Sequence, residues 1–270
     1  MKAILHPDRA SLFVLAGPCV IESEQLCLTI AARMTETCRK LGITYVFKAS
    51  FDKANRSSSG SYRGLGMHEG LKVLQKIRSE IGIAVLTDVH ECAQPAIVAQ
   101  VVDILQVPAF LARQTDLLEA CARTGKIVNV KKGQFMSPQE MTQAVNKIRA
   151  AGNNQILLTE RGTFFGYNRL VNDFTALPIM QETGCPVVFD VTHSTQQPGA
   201  LGTQSGGNPQ YAPMLAHAAV VAGVDGLFIE CHPDPSNAKS DAATMLPLDA
   251  MPALLAQCKA LAELRATWLQ

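Results

Sequence analysis

Cationic and hydroxyl side chains are concentrated after a short apolar run near residue 47. The segment FKASFDKANRSSSG, residues 47–60, contains Lys48, Lys53 and Arg56 together with four serines. An arginine fork donates two parallel hydrogen bonds to a phosphate, and a lysine supplies a mobile point charge. The segment therefore predicts a phosphate-binding site. The alternative interpretation is a solvated loop with a run of charges.

Eight short apolar, β-branched runs alternate with helical patterns along the chain. Such alternation is typical of a parallel sheet with helical crossovers, and eight strands close a (β/α)8 barrel. The runs cover residues 12–19, 45–51, 84–89, 104–109, 127–133, 155–161, 186–193 and 226–232. We therefore predict a single α/β domain over residues 1–270, a (β/α)8 TIM barrel with its active site at the C-terminal ends of the strands. A doubly wound open sheet is the alternative.

Each predicted strand ends in a side chain that can bind a ligand or titrate. One polar residue at a strand end is common, but eight of eight favour an active site, because a barrel assembles its site from these ends. The residues are Cys19, Lys48, Asp88, Gln106, Lys131, Arg161, His193 and Glu230.

Strand alternation predicts which side chains face the barrel axis. Val128 and Val130 suit the face that helices cover. Asn129 and Lys131 should therefore face the axis. Lys132 then points away, and we interpret it as a surface charge.

The helix after the first strand has clear start and stop signals. Ser23 can cap its N-terminus, and apolar residues recur every fourth position from Leu26 to Cys38. Gly42 follows as a stop. A second helix is expected at the end of the chain, within residues 251–270.

Composition excludes several function classes. The 24 basic and 23 acidic residues give a net charge of only +1, which argues against a nucleic-acid or membrane surface. There is no apolar run long enough for a membrane span and no secretory pattern at the N-terminus. The eight scattered cysteines favour reduced thiols in the cytoplasm. We expect Cys19 to be functional and the other seven to be packed.

Seven segments, taken together, resemble the 3-deoxy-D-manno-octulosonate 8-phosphate synthases. They are LAGPCVIES, FKASFDKANRSS, VPAFLARQTDLL, NVKKGQF, LTERGTFFGYN, DVTHSTQQPG and HPDPSNAKSDAATMLPL, in that order. The resemblance implies a cytoplasmic homotetramer with the barrel fold. It implies an aldol-type condensation of phosphoenolpyruvate with D-arabinose 5-phosphate and water. The products would be 3-deoxy-D-manno-octulosonate 8-phosphate, for lipopolysaccharide synthesis, and inorganic phosphate.

The resemblance also implies roles for individual residues. The implied catalytic residues are Lys53, Asn55, Asp88, Lys131, His193 and Asp241. The phosphate of phosphoenolpyruvate would be held by Lys131, Arg161 and the backbone at Ala109. Its carboxylate would be held by Lys53, with Lys48 beside it. The sugar phosphate would be held by Asn55, Arg56 and Ser57, with Arg113 reaching in from a neighbouring subunit. Asp88 and Gln106 would complete the polar lining.

A metal site is implied because the metal-requiring members have cysteine, here Cys19, where the metal-free members have asparagine. The other implied ligands are His193, Glu230 and Asp241. In a closed barrel the first, seventh and eighth strands adjoin, so these groups should meet at one end. The donor set suits one divalent transition metal per subunit, zinc, iron, manganese or cobalt. His232 is the competing ligand.

Three other functions are alternatives. The nearest is a related synthase that uses erythrose 4-phosphate, but KANRSS stands where that relative has a KPRTS-like segment. A sialic-acid-type synthase would be expected to have an extra C-terminal domain. The third is a non-catalytic phosphosugar sensor.

The segment at residues 194–210 is rich in glycine and proline and follows the seventh strand. Its composition and position predict a mobile lid over the sugar. A surface loop without a gating role is the alternative.

Overall fold

The computed structural model describes residues 1–8, 10–54, 60, 62–166, 168–200 and 205–268. Its central feature is a barrel of eight parallel strands that pair in sequence order. The first and last strands also pair, with Phe13 opposite Gly226 and Gly17 opposite Glu230, so the sheet is closed. The predicted (β/α)8 barrel is confirmed, and the open sheet is wrong.

The strands are β1 Phe13–Gly17, β2 Thr44–Lys48, β3 Ala84–Asp88, β4 Ile104–Val107, β5 Ile127–Lys131, β6 Ile156–Glu160, β7 Val187–Asp190 and β8 Gly226–His232. Two short antiparallel pairs lie in the loops after β6 and β7. They join Thr163–Phe164 to Leu170–Val171 and Gln196–Gln197 to Gly206–Gly207. A further short strand, Leu246–Pro247, pairs with the end of β8.

The helices are α1 Lys2–Leu5, α2 Glu24–Leu41, α3 Met67–Glu80, α4 Gln94–Val98, α5 Thr115–Ala122, α6 Met141–Ala150, α7 Ala176–Gln181, α8 Ala212–Ala222 and α9 Met251–Trp268. Single 3₁₀ turns lie at Ala109–Leu111, His193–Thr195, Pro209–Tyr211, Pro235–Asn237 and Leu248–Ala250. Among the helices described, none combines the length and apolar character that crossing a membrane requires.

The helix α2 forms where its capping residues predict. Ser23 Oγ accepts a hydrogen bond from the backbone N–H of Leu26, which satisfies one of the free donors of the first turn. Gly42 ends the helix with a φ of +66°, a conformation that glycine adopts without strain. Ile30 and Met34 are fully buried against the barrel. The predicted helix is therefore confirmed.

Two apolar layers hold the barrel together. The outer layer lies between strands and helices and includes Val128 and Val130, as the alternation predicts. The inner layer fills the N-terminal half of the barrel with side chains such as Leu15 and Phe228. Ile4 of α1 is fully buried in this inner layer. The N-terminal helix therefore closes the bottom of the barrel.

The prediction that Lys132 is a surface charge is wrong. Its side chain does point away from the barrel axis, but it is only 1% exposed. The loops that follow β5 and β6 cover it, and its ammonium group lies 3.5 Å from the carboxylate of Glu160.

The prediction that seven cysteines are packed is wrong for one of them. All eight thiols are free, but Cys92 is exposed in the loop after β3. Residues 91–93 are all exposed, so the outer apolar layer, which includes Val89 and Val98, does not extend to Cys92. The other six thiols and Cys19 are buried.

Candidate active site

A cavity of about 180 Å³ opens at the C-terminal ends of the barrel strands. This is the end at which barrels carry their active sites, because loops from all eight strands meet there. Ten of the predicted site residues line it: Lys48, Lys53, Asp88, Gln106, Ala109, Lys131, Arg161, His193, Glu230 and Asp241. The strands are shorter than predicted, so Cys19, Arg161 and His193 lie in the loops just beyond them.

A layer of amide and hydroxyl groups separates the cavity from the apolar inner layer. Asn129 donates through Nδ2 to Gln106 Oε1 over 3.0 Å. Thr159 Oγ1 donates to Asn129 Oδ1 over 2.7 Å. All three side chains are buried, and these mutual hydrogen bonds offset the cost of removing them from water.

Lys48 and Lys53 form one cationic group above this layer, on the side of β8. Lys48 Nζ lies 3.1 Å from Glu230 Oε1 and also donates to Ser50 Oγ. Lys53 Nζ lies 3.9 Å from the same oxygen of Glu230. One carboxylate therefore orients both lysines toward the cavity.

Lys131 and Arg161 form a second cationic group, at the ends of β5 and β6. Lys131 Nζ lies 3.7 Å from the ring centroid of Phe228. Arg161 donates to two neutral oxygens, the carbonyl of His193 and Oε1 of Gln196. Its Nε is buried and has no hydrogen-bond partner in the part of the chain that the structure describes. Burial lowers the pKa of both Lys131 and Arg161, and Asp190 counteracts this effect. An anionic ligand would satisfy the guanidinium of Arg161.

Asp190 is the last residue of β7 and lies between Lys131 and His193. It is fully buried. Its Oδ2 lies 2.6 Å from Lys131 Nζ and 2.9 Å from His193 Nδ1. Burial raises the pKa of Asp190, but the charges of His193 and Lys131 more than offset this and hold the pKa well below its ordinary value. Asp190 is therefore an anion that positions two other site residues.

Three side chains are close enough together to hold a metal ion. The ligand atoms of Cys19, Glu230 and Asp241 lie within 4.8 Å of one another. Gly17 pairs with Glu230 in the closed sheet, which brings the end of β1 next to β8. Cys19 Sγ lies 3.0 Å from Asp241 Oδ2.

His193 lies beside this group. Its Nε2 is 3.7 Å from Glu230 Oε2 and from Asp241 Oδ2. Its Nδ1 faces Asp190. In metal-binding histidines a carboxylate typically holds one ring nitrogen in this way, and the other nitrogen coordinates the ion.

A metal ion fits this set of donors. Glu230 Oε2 is buried and has no hydrogen-bond partner among the residues described, so an ion would supply the interaction that it lacks. Burial raises the pKa of the Cys19 thiol, and the nearby carboxylates of Asp241 and Glu230 raise it further. Burial also raises the pKa of Glu230, but His193 and the two lysines more than offset this and bring it to about 2. Glu230 is therefore ionised near neutral pH, as a metal ligand must be.

The competing ligand, His232, lies outside this group. Its Nδ1 accepts a hydrogen bond from the backbone N–H of Asp234, and its Nε2 lies 3.9 Å from Glu22. Cys231 is buried in the outer apolar layer, on the opposite face of β8 from Glu230.

Asp88 forms a third small network, at the end of β3. Its carboxylate accepts a hydrogen bond from Ser50 Oγ and lies 3.1 Å from His90 Nε2. Burial raises the pKa of Asp88, but the hydrogen bond with His90 and the charges of Lys48 and Lys53 hold it well below its ordinary value. Asp88 therefore faces the cavity as a carboxylate.

Among the described residues, one predicted site residue, Arg113, does not join the others, and three more lie outside the described part of the chain. The side chain of Arg113 is exposed and does not line the cavity of a single chain. Asn55, Arg56 and Ser57 lie outside the residues that the structure describes. Of the predicted lid, Gln196, Pro198, Gly199 and Ser205 line the cavity, and residues 201–204 lie outside the described part.

The sequence interpretation missed Asp190, His90 and Gln134. Asp190 has a signal, because it is an acidic residue in the apolar run PVVFDV and has the same alternation as the inward-facing Val188. His90 follows Asp88 at the spacing of two residues that directs side chains to one face. Gln134 lies in a loop and has no comparable signal.

Comparisons with known proteins place the chain in a family. A sequence model of the DAHP synthetase I family matches residues 2–267. A relative from Thioalkalivibrio sulfidiphilus is 54% identical over 256 residues, which is 95% of this chain and 90% of the relative. One from Stenotrophomonas maltophilia strain K279a is 57% identical over 244 residues, or 90% and 88% of the two chains. Both are named 2-dehydro-3-deoxyphosphooctonate aldolase. This chain therefore belongs to the DAHP synthetase I family.

Proposed function

We propose that the chain condenses phosphoenolpyruvate with D-arabinose 5-phosphate and water. The products are 3-deoxy-D-manno-octulosonate 8-phosphate and inorganic phosphate. The observation that carries the proposal is a barrel-end cavity with two separate cationic groups in a chain that is 54% identical to an aldolase named for this product. The family description by itself does not distinguish arabinose 5-phosphate from erythrose 4-phosphate, but the names of the relatives favour the former.

The two cationic groups suit the two ends of phosphoenolpyruvate. Lys131 and Arg161 would hold its phosphate, together with the backbone at Ala109, which also lines the cavity. Lys53 and Lys48 would hold its carboxylate. The charges neutralise the repulsion between two anionic substrates, and positioning two reactants in this way contributes up to roughly 7–11 kcal/mol. Asn55, Arg56 and Ser57 would hold the sugar phosphate.

The reaction requires one carbon–carbon bond and one carbon–oxygen bond to form and a second carbon–oxygen bond to break. C3 of phosphoenolpyruvate adds to the aldehyde carbon of the sugar, whose oxygen takes up a proton. Water adds to C2, and phosphate leaves from C2 with its bridging oxygen. Among the described residues, the carboxylates that line the cavity and would face this water are Asp88, Glu230 and Asp241.

A divalent transition metal, zinc, iron, manganese or cobalt, would be held by Cys19, His193, Glu230 and Asp241. When bound, such an ion supplies Lewis-acid chemistry, either orienting the aldehyde or making a water more acidic. Cys19 supports the assignment to the metal-requiring members, since a thiolate is a soft ligand that these metals accept. Asp190 would fix His193 with its Nε2 directed at the ion.

The enzyme would act in the cytoplasm as a homotetramer. Its partners would be small-molecule substrates, not nucleic acids or membranes, and its product would be used for lipopolysaccharide synthesis. In the tetramer Arg113, which is exposed in the single chain, would reach the sugar phosphate of a neighbouring subunit. The segment at residues 194–210, part of which lines the cavity, would act as a lid.

Phosphate release from phosphoenolpyruvate tests the proposed reaction. We expect release with arabinose 5-phosphate, little with erythrose 4-phosphate and none without an aldose. The eight-carbon product should be detected by mass spectrometry. Faster release with erythrose 4-phosphate would contradict the choice of aldose, and no release with either would contradict the proposed activity.

A further inference from the structure

Lys132 and Glu160 form a buried ion pair, which we call the clasp. Lys132 follows the last residue of β5, and Glu160 is the last residue of β6. Their side chains are 1% and 2% exposed, and Nζ lies 3.5 Å from Oε2. Burying two charges is costly, and replacing a buried ion pair by an apolar pair of similar volume often leaves a fold equally stable. Stability alone therefore does not explain the clasp, but its hydrogen bonds to two loops suggest a positioning role.

The ammonium group of Lys132 joins two loops. It donates to the carbonyl oxygen of Met136 over 3.1 Å, in the loop after β5. It also donates to Thr163 Oγ1 over 3.0 Å, in the loop after β6. These hydrogen bonds are directional and fix one atom in each loop. Methyl groups in the same place would fill the space but would not fix the positions of the loops.

Glu160 fixes the start of the second loop. Its Oε1 accepts a hydrogen bond from the backbone N–H of Gly162 over 2.6 Å. Gly162 has a φ of +92°, and a Cβ at this position would lie 3.2 Å from Leu170 Cβ. The carboxylate therefore holds the tight turn that begins directly after Arg161.

The two loops that the clasp joins form a wall of the cavity. The backbone N–H of Phe164 donates to the carbonyl oxygen of Gln134 over 2.8 Å, and both side chains line the cavity. The cationic residues Lys131 and Arg161 are the immediate neighbours of Lys132 and Glu160 in sequence, and their side chains line the cavity, whereas those of the clasp do not. Each member of the clasp thus anchors the backbone from which one phosphate-binding cation extends.

We propose that Lys132 and Glu160 are positioning residues of the phosphate subsite, which hold Lys131 and Arg161 at the separation that a phosphate group requires. The inference rests on the proposed function, because it takes that subsite to bind the phosphate of phosphoenolpyruvate. The clasp itself touches no substrate and acts only through the two loops and the two cations.

The test compares three variants with the intact protein: Lys132→Met, Glu160→Gln and the double variant. Binding of phosphoenolpyruvate and of inorganic phosphate is measured by calorimetry, and unfolding temperature by calorimetric scanning. KM for each substrate is measured separately. We expect each variant to weaken phosphoenolpyruvate and phosphate binding by about tenfold or more, since small displacements of positioning groups have effects of this size. KM for arabinose 5-phosphate should stay within about twofold.

Arg265→Met is the matched control, because Arg265 is also a buried cation that donates to backbone carbonyls, those of Val220 and Val224. It lies on α9, whereas the cavity is lined by loops at the strand ends. It should lower the unfolding temperature and leave phosphoenolpyruvate binding within about twofold.

The double variant keeps the inference falsifiable if a single variant fails to fold, because it leaves no unpaired charge. If the folded double variant binds phosphoenolpyruvate and phosphate as tightly as the intact protein, the clasp has no positioning role and the inference is overturned. An intact protein that binds phosphoenolpyruvate but releases no phosphate from it in the presence of arabinose 5-phosphate and metal would overturn the proposed reaction instead. The binding comparison would still decide on the clasp.

Discussion

Lys131 and His193 meet at a single buried carboxylate. Asp190 Oδ2 lies 2.6 Å from Lys131 Nζ and 2.9 Å from His193 Nδ1. One residue therefore orients a cation that we assign to phosphate and an imidazole that we assign to a metal. The two subsites share a positioning group, and a change at Asp190 should affect both.

Asp190→Asn should lower kcat/KM by about 10²-fold or more. The asparagine cannot neutralise Lys131. If its amide N–H turns toward His193, it also favours the tautomer that carries a proton on Nε2, where a metal must bind. Steady-state kinetics and metal content measure the two effects. Asp225→Asn is the control, because it removes the charge of a half-buried aspartate that accepts a hydrogen bond from the backbone N–H of Val187, at the start of β7. Equal losses in both variants would mean that the effect is only structural.

Removal of metal should abolish phosphate release, and zinc, manganese, iron or cobalt should restore it. Cys19→Ala should lose most of its metal and activity, because the thiolate ligand is gone. Cys19→Asn should retain measurable turnover without metal, since the family resemblance implies asparagine at this position in metal-free members. Cys231→Ala, which removes a buried thiol that faces away from the cavity, should keep its metal. Equal activity of the two Cys19 variants in chelator would contradict this prediction.

Metal affinity should increase with pH. Burial and the carboxylates of Asp241 and Glu230 raise the pKa of the Cys19 thiol, so the thiol is protonated near neutral pH and the metal must displace its proton. Loss of one proton on binding raises the apparent association constant by about tenfold per pH unit. Competition with a coloured chelator from about pH 6 to 8 measures this slope. In Cys19→Asn, which has no thiol to deprotonate, the apparent association constant should increase less steeply with pH. An unchanged slope would refute the assignment of the proton to Cys19.

Asp88 should stabilise the fold at neutral pH and cease to do so in acid. Its pKa is held well below its ordinary value, so the stabilisation is present above the unfolded pKa of about 3.9 and is lost as the pH falls below it. Asp88→Asn should reduce the free energy of unfolding at pH 7 by about 2–3 kcal/mol and make its decline in acid shallower. Urea unfolding at several pH values measures both. Asp116→Asn, an exposed control in the first turn of α5, should lower the free energy of unfolding by less than about 1 kcal/mol. Parallel pH curves for intact protein and Asp88→Asn would disprove the prediction.

Ser23→Ala should lower the free energy of unfolding by about 1 kcal/mol and leave kcat and KM unchanged. The reason is that Ser23 Oγ satisfies the N–H of Leu26 at the start of α2, away from the cavity. Ser79→Ala is the matched control, because that exposed hydroxyl donates to a carbonyl near the end of α3. It should change the free energy of unfolding by less than about 0.5 kcal/mol. A similar loss in both variants would argue against a specific capping contribution.

Arg113→Ala should raise KM for arabinose 5-phosphate by about tenfold or more, because a charge-assisted phosphate contact is lost. KM for phosphoenolpyruvate should change little. Sedimentation velocity gives the oligomeric state, for which we expect a tetramer. Arg123→Ala, which removes an exposed arginine paired with Glu119, is the control. If the intact protein is a monomer and Arg113→Ala has unchanged kinetics, the proposal that Arg113 reaches into a neighbouring subunit is contradicted.

Much of the fold was predictable because the relevant signals are local. The eight apolar runs, the cap at Ser23 and the stop at Gly42 depend on residues a few positions apart. The alternation that turns Asn129 and Lys131 toward the barrel axis is equally local, since it has a period of two residues. Ten of the predicted site residues line one cavity because parallel strands end on the same face of a closed barrel.

The remaining features depend on contacts between distant segments, which periodicity does not encode. The sequence by itself determined that Lys132 points away from the axis, but only the tertiary structure decided that two loops bury it against Glu160. Asp190 has the alternation of an inward-facing residue, yet its role arises because the closed sheet places only β6 between β5 and β7, which brings Lys131 Nζ within 2.6 Å of its carboxylate. In each case the sequence specified the direction of a side chain, and closure of the barrel decided which atoms it meets.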